Sequence, residues 1–216
     1  MKKLHICGGI CIAFVAIIIG LAFYMGIFMK VEITEDTLEE SIFFYSDQEM
    51  QYWDLEPVFD IYCAIEKTLK ETPGAPISPV VGFYYDEPDL LVDPKKARSS
   101  VGLMVDPKNQ THVHLVKRLI DEKNYTYKQA HLPQIKVMKT ECPFRNSFSI
   151  YVGLFKFMEP LYEKFVKDYP HLQKDNLGIE IYQETKLTYS IPIEEKKKSY
   201  YVTPFPIPEY KNHTIQ

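Results

Sequence analysis

From Ile6 to Met29 the chain runs for twenty-four residues without one charged side chain. As a helix rising about 1.5 Å per residue, that run spans about 36 Å, more than the roughly 30 Å of a bilayer's hydrocarbon core. It therefore reads as an N-terminal transmembrane anchor over residues 1–30, with everything else folding at its end. A cleaved signal peptide, leaving a domain that starts near Lys30, is the competing reading. Signal peptides normally carry an apolar region of about 7–15 residues and a small-x-small cleavage site. Phe23-Tyr24-Met25-Gly26 offers no such site. Gly9 and Ala13 form a small-xxx-small pair, and Cys7 and Cys11 read as lipid-facing residues.

The remaining residues are enough for one domain with a core of its own. Sixteen Tyr and thirteen Phe favour a packed, strand-rich domain over a disordered one. The chain has 25 basic and 29 acidic side chains. Lys2, Lys3 and Lys30 all fall in the anchor, so the rest is more acidic still. That balance excludes the basic footprint of a nucleic-acid binder. Glu32, Glu35, Asp36, Glu39 and Glu40 come directly after the anchor and read as an acidic spacer over 31–41. Cys63 and Cys142 are too few for a disulfide scaffold and are expected as two buried thiols.

Periodicity divides the rest of the chain. Ile42 to Tyr45 reads as a short strand. Pro57 suits the first turn of a helix, and Val58, Ile61, Tyr62, Ile65 and Leu69 then form one apolar stripe ended by Pro73-Gly74. Strands are expected over Pro79–Tyr85 and Ser99–Val105, with a turn at Asp86-Glu87-Pro88-Asp89. A helix with Leu115, Val116, Leu119 and Ile120 comes next, capped near Asn109 or Thr111. Two more strands, Tyr125–His131 and Ile135–Cys142, precede a long helical stretch. Pro160 is expected to divide that stretch into two pieces. Gly178–Gln183 and Leu187–Ile193 then read as a hairpin. The Pro-rich tail over 196–216 reads as extended and poorly ordered. A strand–helix–strand–strand pattern thus recurs, predicting an α+β domain over 42–195 with a groove between two like halves.

Motifs exclude more than they assign. There is no Gly-rich phosphate loop, no Gly-x-Ser-x-Gly and no Cys-x-x-Cys. His112 and His114, two apart on a helix, point about 200° apart and cannot share a metal; they read as a surface pair. No metal site, cofactor or catalytic residue is assigned. In Gly178–Glu184, however, strand alternation puts Glu180, Tyr182 and Glu184 on one face. Glu180 and Tyr182, with Tyr85 from the first half, are the candidate ligand-binding residues. Their charge and aromatic rings suit a cationic or aromatic ligand.

Several of these residues carry a resemblance. Tyr84-Tyr85-Asp86-x-Pro88, Ala97-x-x-x-Val101-Gly102, the run Leu177 to Glu184, and Tyr201-Val202-x-Pro204 together resemble the testis-expressed protein 264 family. The resemblance implies a GyrI-like domain, a tandem of strand–helix–strand–strand units behind a single membrane anchor. It implies an endoplasmic-reticulum membrane protein whose domain faces the cytosol. It also implies a non-enzymatic role as a receptor for selective autophagy of that organelle (reticulophagy), and as an adaptor in DNA–protein crosslink repair. The partners would be ubiquitin-like autophagy proteins and a segregase ATPase. Two features pull the other way. Lys2 and Lys3 before the anchor, against Lys30 after it, place the domain in the lumen by the positive-inside rule. There the sequons at Asn109, Asn124 and Asn212 would be usable. The family's long tail carries an aromatic-x-x-aliphatic motif, and in this tail Tyr200, Tyr201, Phe205 and Tyr210 are followed by no aliphatic residue three places on. A membrane-anchored small-molecule sensor without autophagy activity is the alternative.

Overall fold

The computed structural model describes residues 14–175 and 177–211. Its N-terminal helix, α1 (residues 14–24), stops within the apolar run. Gly26 adopts a left-handed φ of 80°. Gly26 N–H donates to Phe23 C=O at 3.1 Å and Ile27 N–H to Ala22 C=O at 3.0 Å. That crossed pair is the Schellman stop, which favours Gly because it has no Cβ to strain. The chain then turns against the end of a later strand, where a Cβ on Gly26 would lie 2.9 Å from Pro143 Cδ. Among the described residues no helix is long and apolar enough to cross a membrane. The expectation of a transmembrane helix filling 1–30 is thereby corrected. Hydropathy registers the run's composition but not the backbone stop inside it. Cys7, Gly9, Cys11 and Ala13 lie outside the described residues.

The rest is α+β. The strands are β1 (Ile33–Leu38), β2 (Ser41–Glu49), β3 (Val80–Tyr84), β4 (Arg98–Val105), β5 (Lys128–Leu132), β6 (Ile135–Pro143), β7 (Gly178–Tyr182) and β8 (Lys186–Pro192). All join one antiparallel sheet in the order β1-β6-β8-β7-β3-β4-β2-β5. Helix α2 (Glu56–Glu71) follows β2 and α3 (Gln110–Glu122) follows β4. After β6 come α4 (Phe148–Gly153), a π-helical turn (Leu154–Met158) and α5 (Glu159–Asp168).

Two units are visible in that order. β2-α2-β3-β4 forms one half and β6-α4-α5-β7-β8 the other. They meet where β3 pairs with β7, and β5 and β1 flank the outer strands symmetrically. Helix α2 begins with Pro57 in its first turn and buries Tyr62, Ile65 and Leu69, the predicted stripe. Its face meets Phe44, Val101 and Leu103 from the sheet. Asn109 caps α3 by accepting from His112 N–H at 3.0 Å. On the sheet's other face Phe43, Val81, Phe83 and Ile179 share one cluster with Leu132 of β5 and Ile135 and Val137 of β6. Strands near opposite edges of the sheet meet there, so the sheet curls into a half-barrel.

Two further expectations are corrected. The acidic stretch 31–41 is not a free spacer: Ile33 pairs with Thr140 through to Leu38 with Ile135. Lys139 Nζ reaches Asp36 at 2.6 Å, and that hydrogen bond holds the Asp36 carboxyl below its usual range. A charge-rich strand suits an exposed sheet edge. The tail is also held: Tyr200 is buried, Val92 N–H donates to Glu209 C=O, and Lys211 N–H donates to Leu90 C=O.

Candidate functional site

At the junction of the halves, β3 and β7 pair Val80 with Tyr182, Gly82 with Glu180, and Tyr84 with Gly178. Alternation turns Glu180, Tyr182 and Tyr84 toward the helices. Gly82 matters because a Cβ there would stand 2.9 Å from the Tyr84 hydroxyl. Without a side chain at 82, the Tyr84 ring lies across β3 and reaches the carboxyl opposite. Tyr182 donates its hydroxyl to Glu180 Oε2, and Tyr84 hydrogen-bonds to the same carboxyl.

Glu180 is 7% exposed. Burial pushes its pKa above the usual carboxylate range, and the two phenols offset only part of that. Burial likewise raises both phenols well above the ordinary tyrosine value. The walls are aromatic. Phe59 of α2 meets the Tyr182 ring edge-on at 4.9 Å, Phe144 meets it at 5.7 Å, and Tyr52 meets Tyr84 at 4.8 Å. Trp53 of the first half and Tyr151 of the second lie nearly parallel, 6.4 Å apart, and both are exposed. A single desolvated carboxyl framed by rings can attract a cation and stack an aromatic group.

Of the expected site residues, Glu180 and Tyr182 come together and Tyr85 does not. Tyr85 comes directly after β3 and packs on the other side of the sheet, with Phe43, Val81 and Phe83. It donates to Ser100 Oγ at 3.0 Å and contacts the Tyr201 ring. Its neighbour Tyr84 occupies the place assigned to it. The Tyr84-Tyr85 dipeptide signalled an aromatic here, but only the β3–β7 register says which one.

The loop from β3 to β4 carries a buried ion pair that the motifs did not suggest. Arg98 Nη2 lies 2.8 Å from Asp86 Oδ1 and Nε 2.9 Å from Oδ2. Tyr210 donates to Asp86 Oδ1 at 2.8 Å, closing the tail over this loop.

Other expectations sort by burial. His112 is buried, bonded to Ser78 at 2.7 Å, and its pKa is lowered by burial; only His114 lies on the surface. Cys142 is buried, with its thiol pushed up to about 12 by burial, whereas Cys63 is exposed rather than buried as expected. Asn124 takes a positive φ of 54°, and Asn212 lies outside the described residues. Among the described residues no cluster of three metal-ligating side chains occurs.

No protein-family model matches the chain, and no curated protein matches it. Among solved structures it is similar to SAV2435 bound to tetraphenylphosphonium, at 14% identity over 79% of this chain and 97% of that one, TM-score 0.44. It is similar to a hydrolase from Listeria innocua, at 11% identity over 80% of this chain and 98% of that one, TM-score 0.44. It is also similar to the C-terminal domain of EcmrR, at 14% identity over 77% of this chain and 99% of that one, TM-score 0.42. With these TM-scores below 0.5, the chemistry has to be read from this chain's own residues.

Proposed function

We propose that this domain binds a small lipophilic cation among the aromatic side chains where β3 meets β7, with the groove between the halves opening to admit it, as a binding module rather than an enzyme. One observation carries the reading: Glu180 is a buried carboxyl whose partners among the described residues are two phenols and no cation. A desolvated carboxylate is costly unless paired. A cation entering beside it gains the Coulomb attraction at low local dielectric and the faces of Tyr84, Tyr182 and Phe59 as well. The groups around Glu180 are poor catalytic partners. The phenols are pushed upward by burial, and so is the nearby Cys142 thiol. The receptor and adaptor roles implied by the resemblance find less support. Tyr200, Tyr201 and Tyr210 of the tail are each engaged by the domain instead of lying free for strand addition.

Titration with tetraphenylphosphonium, followed calorimetrically, tests the proposal. Saturable binding is expected, weakened at least about tenfold by Glu180→Gln, which keeps the shape and removes the charge. A proton competes with the cation for Glu180, so affinity should rise with pH through that group's raised pKa and be flat in the variant. Equal affinity in both proteins would refute the role of Glu180.

A further inference from the structure

The half-barrel's other face has an open end. A cleft of about 500 Å³ lies there, within the roughly 300–1,000 Å³ of ordinary small-molecule sites. Its apolar wall comes from Leu38, Ile77, Met104 and Ile181. Its polar rim carries Glu39, Glu40 and Asp106 against one cation, Lys108. Glu40 also faces the exposed His131 at 2.9 Å. Ser41, 5% exposed, also lines the cleft.

We infer that this cleft is a second ligand site, separate from the Glu180 groove, and that it takes an aliphatic ammonium. The alkyl chain lies against Leu38, Met104 and Ile181. The ammonium sits at the rim among the carboxylates. The acidic excess disfavours an anion of the same length. β7 separates the two sites: Glu180 and Tyr182 face the helices, whereas Ile181 and, just past the strand, Gln183 line the cleft.

The test uses n-octylammonium, n-octanol and octanoate as probes, read by backbone amide shifts of the full chain. Octylammonium should shift the amides of 38–41 and 181–183 saturably, with octanol weaker and octanoate weakest. The double variant E39Q/E40Q, altered only at exposed positions, should weaken octylammonium about fivefold and leave octanol unchanged, since each rim carboxylate contributes modestly. Ile77→Ser, at a side chain 65% exposed, should weaken both octylammonium and octanol without unfolding the domain. Glu180→Gln should leave the octylammonium-induced shifts of amides 38–41 unchanged, which separates this cleft from any cation bound beside Glu180. Equal binding of octanol and octylammonium, no effect of E39Q/E40Q, or loss of the shifts at amides 38–41 in Glu180→Gln would each overturn the inference.

Discussion

The two halves share a strand order but not a role. In the first, α2 runs sixteen residues unbroken, and β3 joins β4 through a long loop over residues 85–97. In the second, a π-helical turn precedes Pro160, and β7 joins β8 through a tight turn at 183–185. At the junction the third residue of β3 is Gly82 and the third of β7, paired with it, is Glu180. One half supplies room and the other charge. Duplication fixes the frame, and the site arises where the copies differ.

The largest expected effect lies in the first half's long loop, which has no counterpart in the second. Arg98→Ala would remove the cation from Asp86, whose side chain is fully buried, and leave it only the Tyr210 hydroxyl and the backbone N–H of residue 98. Breaking such a pair costs about 3–5 kcal/mol, and denaturant unfolding should show a loss of that size. A loss below about 1 kcal/mol would mean that water reaches Asp86.

Gly82→Ala tests the asymmetry at the junction. The new Cβ meets the Tyr84 ring and hydroxyl at 2.9 Å, so the ring has to move off Glu180. Overpacking of this kind costs about 1–3 kcal/mol. Cation binding should fall with it, whereas an open groove would tolerate the change in both readouts.

Tyr210→Phe removes one hydrogen bond between tail and loop, a loss of about 0.5–1.5 kcal/mol. Amide exchange at Val92 and Lys211 should speed up if Tyr210 clasps the tail, and remain slow if it does not.

Glu180→Gln should have the smallest effect on stability and the opposite sign. A carboxyl whose folded pKa lies above its unfolded value near 4.5 holds more protons when folded. Stability therefore falls as pH rises from that value through the folded one, and stays lower above it. At neutral pH the variant escapes this loss and should gain, by under about 1 kcal/mol. A variant less stable than wild type across the range would contradict the direction of the shift.

Elements with a clean period are legible in the sequence. The α2 stripe of Tyr62, Ile65 and Leu69, the Pro160 break and the β7–β8 hairpin follow from local spacing alone. Glu180 and Tyr182 share a strand face for the same reason. What stays hidden depends on contacts distant in sequence. Whether Tyr84 or Tyr85 meets Glu180 is decided by β3–β7 register. The charged stretch 31–41 becomes a strand because β6 offers Lys139 and a free edge. The tail is ordered by Asp86, 124 residues away from Tyr210. The stop at Gly26 needs one residue's backbone sign, invisible to a sum of hydropathies.

Everything proposed for the groove rests on Glu180 being a desolvated carboxyl that a cation can pair. Its own titration, followed by carboxyl carbon chemical shifts in side-chain-labelled protein, tests this most directly. The expected result is a pKa above the usual carboxylate range in the free protein, falling when a lipophilic cation saturates the groove. An ordinary pKa that the cation leaves unmoved would contradict it.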